Sequence, residues 1–208
     1  MSPALKNSSS ERTTERMAGF SDAIFAFAMT LLMLDIKVPD VPQGAASSEL
    51  TGWILAQAPK LSVYVLSFVV IGMFWMRHHS MFRLIRRHDS ALMWLNMLFL
   101  LVISLMPFPT AILGEYGDER TAVALYSGFM LAAGMLLNLI WIYATRSRRL
   151  VGPDLDDSAI RRSTRRGLAI SCVFALSILL ALFVSPSWAT WCLVLTLFVG
   201  AAWREKEG

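Results

Sequence analysis

The stretch from Arg16 to Pro39, "RMAGFSDAIFAFAMTLLMLDIKVP", decides the class of fold. It is almost entirely apolar from Met17 to Leu34, but Ser21 and Asp22 fall within its first two turns. Such a run is typical of a membrane-spanning helix, because a hydrocarbon core about 30 Å thick is crossed by about 20 apolar residues. A carboxylate inside that helix needs hydrogen-bonding or charged partners from neighbouring helices, since an unpaired charge in lipid is costly.

The rest of the chain has the same character. Of its 208 residues 56% are hydrophobic and 16% are charged, whereas about a quarter of the residues in soluble domains are charged. No charged residue lies between Arg166 and Arg204, a run too long for one span, and Pro186 in "VSPSW" predicts a hairpin within it. The sequence therefore predicts an all-α membrane protein with six spans, at residues 17–37, 57–77, 90–114, 120–145, 165–184 and 187–203.

The predicted spans form one domain, residues 16–204, between a mobile polar tail at 1–15 and a short tail at 205–208. After the second span the basic stretch "RHHSMFRLIRRHD" is predicted to continue the helix beyond the bilayer. In the fourth span Gly128, Gly134 and several alanines predict close packing between helices more than contact with lipid.

The basic residues indicate the orientation of the chain in the membrane. All 19 Lys and Arg residues except Lys37, Lys60 and Arg120 fall in the N-terminal tail, the connections after spans two and four, or the C-terminus. The positive-inside rule therefore places both termini in the cytoplasm. This topology accounts for the net charge of +4 without a nucleic-acid partner, and membrane lipid is the expected partner of the basic loops.

No enzyme or metal site is predicted. His78 and His79 point to different sides of a helix and no carboxylate stands at a ligand-like spacing from them or from His88. No hydrolase, metalloprotease or P-loop motif occurs, and Cys172 and Cys192 are predicted as packing residues. The chain also lacks a TVGYG-type potassium filter, so any ion path would need another construction.

Helix one has two different faces at 100° per residue. One face carries a column of bulky apolar side chains, bordered by Thr30: Phe20, Ile24, Phe27, Leu31 and Leu34. Asp22 projects to nearly the opposite side, where partners are expected at the same depth from Arg16, Trp75, His78 or His79. The column by itself is more typical of helix packing than of a pore.

The same residues carry a resemblance to a known family. "RMAGFSD" matches the Arg-x-x-x-Phe-Ser-Asp signature of the transmembrane protein 175 potassium channels, with Arg16, Phe20, Ser21 and Asp22 at its four defining positions. The stretches "FWMRHHSMF" and "NMLFLLVISLMPFPTAILGEY" are also similar to bacterial members. The resemblance covers the first three spans.

The resemblance implies a six-span potassium-permeable channel of the bacterial plasma membrane, without cofactor, whose first helix lines a central pore. A single copy of the signature implies a homotetramer. Phe27, where relatives usually have Ile or Leu, corresponds to the narrowest constriction, with further rings at Leu31 and Leu34, and Thr30 is linked to potassium preference. The polar signature residues are expected to hold helices together.

Two other functions stay open at this point. A secondary transporter needs a polar substrate site near mid-membrane, for which the candidates are sparse: Thr30, Asn96, Ser104 and Asn138. A scaffold protein would keep the apolar stripes and the basic loops without passing ions.

Overall fold

The computed structural model describes the backbone of residues 3–36 and 47–202 and the side chains of 16–34, 36 and 50–196. These residues form helices and no named strand. Eight α-helices and two short 3-10 helices follow one another in this order: α1 Pro3–Leu31, a 3-10 turn at Leu32–Asp35, α2 Ser47–Ala56, α3 Ala58–Leu84, α4 Ser90–Ser104, α5 Pro107–Glu115, α6 Arg120–Thr145, a 3-10 turn at Arg146–Arg148, α7 Asp157–Phe183 and α8 Pro186–Ala202.

Five segments of the described chain are long and apolar enough to cross a bilayer: Arg16–Leu34, Ala58–Leu84, Ser90–Glu115, Arg120–Arg148 and Asp157–Phe183. They coincide with the first five predicted spans. The predicted sixth span corresponds to α8, which has 17 described residues, at the lower end of the range that spans a membrane. Six crossings therefore remain a prediction, with five segments meeting the length and apolarity criteria.

Most of the predicted helix ends agree with the structure. The basic extension after the second span continues α3 to Leu84, and the predicted hairpin at Pro186 separates α7 from α8. The first helix begins at Pro3, so residues 3–15, predicted as a tail, continue α1. The predicted end of the first span at Lys37 and the predicted tail at 205–208 lie outside the described residues.

The third span is broken, which the sequence analysis did not predict. It divides into α4 and α5 at Leu105 and Met106. Pro107 and Pro109 have no N–H to continue the i to i−4 ladder, and Met106 N–H instead reaches the carbonyl of Ile103 at 3.1 Å. The chain turns there without leaving helical geometry, since both residues at the break keep right-handed helical dihedrals.

Helix α6 is the centre of the bundle and packs against α3, α4, α5, α7 and α8. Half of its membrane-crossing window is buried, a larger share than in the other four segments, which confirms the predicted close packing. A Cβ on Gly134 would lie 2.9 Å from Ser171 Oγ on α7, whereas a Cβ on Gly128 would meet no atom within 4 Å. Close approach of α6 to α7 therefore depends on Gly134.

The connections after α3 and α6 meet at one end of the bundle, here called the basic end and defined by residues 85–89 and 146–156. Arg86 N–H donates to the carbonyl of Leu150 at 2.9 Å, and an antiparallel bridge pairs Ile85 with Val151. The guanidinium of Arg86 pairs with Asp154. The two connections therefore hold α3, α4 and α6 in register at this end.

Asp89 caps the N-terminus of α4 at the basic end. Its Oδ1 accepts from Leu92 N–H at 2.9 Å, and its Oδ2 accepts from Tyr143 Oη at 2.7 Å and lies 3.1 Å from Arg149 Nη2. Partial burial of the carboxyl opposes ionisation, but these hydrogen bonds and the guanidinium outweigh it and lower the pKa of Asp89. An ionised Asp89 thus joins α4 to the end of α6.

Candidate functional site

Helix α1 is buried along one side only. Its buried side chains recur at positions i, i+4, i+7 and i+11, which is one face of an α-helix: Ser21, Phe25, Ala28 and Leu32. This face packs against α3 and α4. Because the remaining face of α1 is uncovered in a single chain, the helix separates a packed side, which includes the polar Ser21, from an apolar, open side.

A chain of hydrogen bonds on the packed side joins three helices. Ser21 Oγ donates to the carbonyl of Met17 at 2.9 Å and accepts from Asn96 Nδ2 of α4 at 3.1 Å. With Nδ2 committed to Ser21, Asn96 Oδ1 faces His78 of α3, whose Nε2 therefore carries the hydrogen and donates over 2.8 Å. Ser21, Asn96 and His78 are at most 1% exposed, so this network lies inside the protein.

Aromatic rings surround His78. Its imidazole stacks on Phe82 with ring centroids 4.1 Å apart and on Phe99 at 5.5 Å, and Phe25 of α1 tilts against it at 5.8 Å. The rings fix the plane of the imidazole and so the direction of its hydrogen bond to Asn96. Sequence reasoning missed these aromatic neighbours. Phe82 stands one turn from His78 on α3, but Phe25 and Phe99 come from α1 and α4 and give no local pattern.

The carboxylate of Asp22 accepts a hydrogen bond from a side chain of α3. Its Oδ1 accepts from Trp75 Nε1 at 2.8 Å, and the Trp75 ring lies against His79 with centroids 5.7 Å apart. Trp75 was among the partners predicted for this carboxylate. Arg16 is exposed, and among the described side chains no hydrogen bond or ion pair joins it to Asp22. Asn96, considered only as a transporter candidate, was missed as the central partner of Ser21.

The open side of α1 carries the predicted column. Phe20, Phe27 and Leu34 are 51%, 62% and 73% exposed, while Ile24 and Leu31 are half-buried. Residues three apart are eclipsed in a 3-10 helix, so the turn at Leu32–Asp35 keeps Leu34 above Leu31. Phe20, the second of the four signature residues, thus lies on the open side, away from the Ser21 and Asp22 contacts.

Thr30 borders this column and is exposed. Its Oγ1 donates to the carbonyl of Phe27 at 2.8 Å, which occupies the hydroxyl hydrogen and leaves both lone pairs of the oxygen available. A hydroxyl oxygen in this state is an acceptor, and it can contact a cation.

A metal centre is not formed by the described side chains, since no three His, Cys, Asp or Glu residues among them lie close enough to share an ion. The other polar residues in the spans bond within the protein. Asn138 accepts from Arg77 Nη2 at 2.7 Å and donates to Ser171 Oγ at 3.1 Å, and Ser104 Oγ donates to the carbonyl of Leu101 at 2.9 Å.

Comparisons with known proteins agree with this architecture. The family model described as "Endosomal/lysosomal potassium channel TMEM175" matches residues 16–107. A potassium channel of Streptomyces collinus is 40% identical over 177 residues, which cover 82% of this chain and 84% of that protein. A potassium channel of Chamaesiphon minutus is 37% identical over 175 residues, which cover 79% of this chain and 84% of that protein.

One solved structure is similar over nearly its whole length. The crystal structure of a lysosomal potassium-selective channel TMEM175 homolog from Chamaesiphon minutus matches with a TM-score of 0.80 at 30% sequence identity, over 92% of this chain and 98% of that one. The bundle described above therefore occurs in a protein whose sequence is also related.

Proposed function

The chain belongs to the TMEM175 family of potassium channels, and we propose that it conducts potassium through a central pore lined by α1 from four identical subunits. Membership confirms the family predicted from the Arg16–Asp22 signature. It also confirms a multi-pass channel of a bacterial membrane and not an enzyme. The pore, its constriction and the tetramer are the parts that we propose.

The exposure of Phe27 carries the proposal. Its side chain is 62% exposed on the side of α1 opposite the buried contacts of Ser21. Four such helices around an axis bring four phenyl rings together, with Leu31 and Leu34 forming the next rings. A narrow apolar ring excludes water, so ions pass only when the ring widens enough to hydrate. This is a hydrophobic gate in a chain without a TVGYG-type filter.

Thr30 supports the preference for potassium. It lies 60° around α1 from Phe27, because three residues turn an α-helix by 300°. Its hydroxyl oxygen can coordinate an ion that has lost part of its hydration shell at the ring formed by Phe27. Four hydroxyl oxygens give weaker discrimination than stacked carbonyl rings, so we expect a modest preference for potassium over sodium.

The polar side of α1 supports the orientation of its apolar side. Ser21 is held by Asn96 of α4 and Asp22 by Trp75 of α3. Two contacts on different helices fix the rotation of α1 about its own axis. In the proposed pore they keep Phe27 directed at the centre while remaining outside the ion path themselves.

A substrate site of a transporter is disfavoured by the polar residues within the spans. Thr30 and Ser104 donate to backbone carbonyls one turn back, and both amides, Asn96 and Asn138, are engaged with other side chains. The candidates predicted for a mid-membrane substrate site therefore already form hydrogen bonds within the protein, which disfavours a polar substrate site assembled from them.

Flux through purified protein in liposomes under a potassium gradient tests the function. Steady uncoupled potassium flux supports a channel, absence of flux supports a scaffold, and saturable flux that requires a counter-substrate supports a transporter.

Phe27→Ala is expected to raise basal flux of potassium, sodium and caesium, because the ring widens. Phe183→Ala, at a residue that is 78% exposed on α7, is the matched control and is expected to leave flux unchanged. Unchanged flux in Phe27→Ala would remove Phe27 from the constriction.

A further inference from the structure

Helix α7 presents one continuous uncovered face. Exposed side chains recur at helical spacing along this face, at residues 157, 161, 165, 168, 172, 176, 179 and 183. The opposite face is buried against α6 and α8 through Gly167, Ser171, Phe174, Ser177 and Ala181. The uncovered face therefore points away from the bundle.

The chemistry of this face changes once. Asp157, which is paired with Arg148, is followed by Arg161 and Arg165, and every later position is apolar as far as Phe183. From Arg165 to Phe183 the helix rises about 27 Å, at 1.5 Å per residue, close to the thickness of a hydrocarbon core. The arginines thus stand one bilayer away from Phe183.

Exposed tryptophans mark the other end of the same span. Trp188 and Trp191, in the first turns of α8, are 66% and 64% exposed. Tryptophan is enriched where headgroups meet hydrocarbon, so this end of the α7–α8 hairpin lies at one membrane interface. The arginine pair then lies at the opposite interface, on the side that carries the basic end.

The nearby carboxylates are committed elsewhere. Asp154 pairs with Arg86, Asp157 pairs with Arg148, and Asp156 accepts from the Ser158 hydroxyl. Among the described side chains no carboxylate forms an ion pair with Arg161 or Arg165. Two exposed positive charges therefore lie one helical turn apart, directly below an apolar surface.

We propose that Arg161 and Arg165 bind the phosphate of an acidic phospholipid in the cytoplasmic leaflet, with its acyl chains lying along Leu168, Leu176 and Leu179. Guanidinium groups bind phosphate oxygens through paired hydrogen bonds, and residues four apart on a helix are close enough to share one phosphate. The proposal rests on the multi-pass membrane channel of the proposed function and on the orientation predicted from the basic residues, but not on the pore.

Native mass spectrometry of the detergent-solubilised full chain tests the site, with phosphatidylglycerol and phosphatidylcholine as probes. The wild type is expected to retain phosphatidylglycerol in preference to phosphatidylcholine. Arg161→Gln/Arg165→Gln is expected to lower that preference on the order of five-fold for each arginine neutralised. Arg161→Lys/Arg165→Lys is expected to lie between the wild type and the glutamine variant, because an ammonium keeps the charge but lacks the paired hydrogen bonds of a guanidinium. Size-exclusion profiles identify variants that fail to fold. If the glutamine variant fails to fold, the lysine variant, which conserves the charge, is compared with the wild type instead.

Arg83→Gln/Arg87→Gln is the matched control, because both side chains are exposed, Arg83 in the last turn of α3 and Arg87 at the basic end, and the change in net charge is the same. An equal loss in this control would overturn the proposal in favour of general charge attraction. Dissociation of the oligomer in the α7 variant without a change in lipid preference would also overturn it, and would make this face a contact between copies of the chain. Potassium flux is measured in parallel with lipid binding. Absent flux in the wild type counts against the channel, whereas absent phosphatidylglycerol preference in the wild type counts against the lipid site alone.

Discussion

The hydrogen bond between Ser21 and Asn96 is the contact on which the rotation of α1 most depends. Asn96 Nδ2 lies 3.1 Å from Ser21 Oγ, and both side chains are at most 1% exposed. A double-mutant cycle with Ser21→Ala, Asn96→Ala and the double variant isolates the energy of this pair. It also tests whether α1 is bound to α4 by this bond or only by apolar packing.

The structure ranks the three variants. Ser21→Ala leaves one buried Asn96 hydrogen without a partner, at about 1–3 kcal/mol for an unsatisfied buried group. Asn96→Ala is expected to cost more, because it also strands the buried Nε2 of His78. The double variant is expected to cost less than the sum of the two by about 1 kcal/mol, since buried side-chain pairs between membrane helices couple by about 0.6 and at most about 1.7 kcal/mol.

Unfolding in mixed detergent micelles, followed by circular dichroism, gives the free energies. Ser80→Ala paired with Asn96→Ala is the control cycle, since the exposed Ser80 hydroxyl bonds only to its own helix, at Met76 O. The control pair is expected to add within about 0.3–0.5 kcal/mol. If the losses in free energy of unfolding for Ser21→Ala and Asn96→Ala add as closely as those of the control pair, the claim that their hydrogen bond fixes α1 is refuted.

Two further predictions concern the basic end and the contact between α6 and α7. Asp89→Ala is expected to lower the free energy of unfolding at pH 7 by about 0.5–2 kcal/mol, the usual loss of an N-cap. Because the pKa of Asp89 is lowered in the folded protein, its contribution is present above about pH 4 and is lost below it. Thermal unfolding should therefore show the wild type approaching the variant as the pH falls, and a constant difference would contradict this assignment. Gly167→Ala places a Cβ 1.9 Å from Asn138 Oδ1 and 2.1 Å from Arg77 Nη2, so a loss of about 1–3 kcal/mol is expected from overpacking, whereas Gly128→Ala, with no atom within 4 Å, is expected to be neutral or stabilising.

The sequence predicts the two-faced character of α1 because helical periodicity is a local property. Ser21 and Asp22 lie away from Phe27 and Leu34 whatever surrounds the helix, and the structure has the same separation. Trp75 was one of four partners considered for Asp22 at the same depth, with Arg16, His78 and His79, and depth alone did not choose among them.

The register between helices could not be predicted in the same way. Asn96 and His78 lie on different helices, α4 and α3, and no single segment encodes the alignment that brings them together. The break in the third span is a different case. Pro107 and Pro109 were visible in the sequence, but an uncharged run gives the length of a span and not the continuity of its hydrogen bonds.

The placement of the polar contacts limits how the proposed gate can open. Bringing Thr30 to the axis in place of Phe27 requires α1 to rotate by about 60°. At a side-chain radius of about 5 Å that rotation moves every residue of the helix by about 5 Å, which separates Ser21 from Asn96 and Asp22 from Trp75. Rotation of the Phe27 side chain about its own bonds breaks neither contact. Opening through the phenyl ring is therefore the less costly route, and the Ser21 and Asp22 contacts are expected to remain closed in both states of the pore.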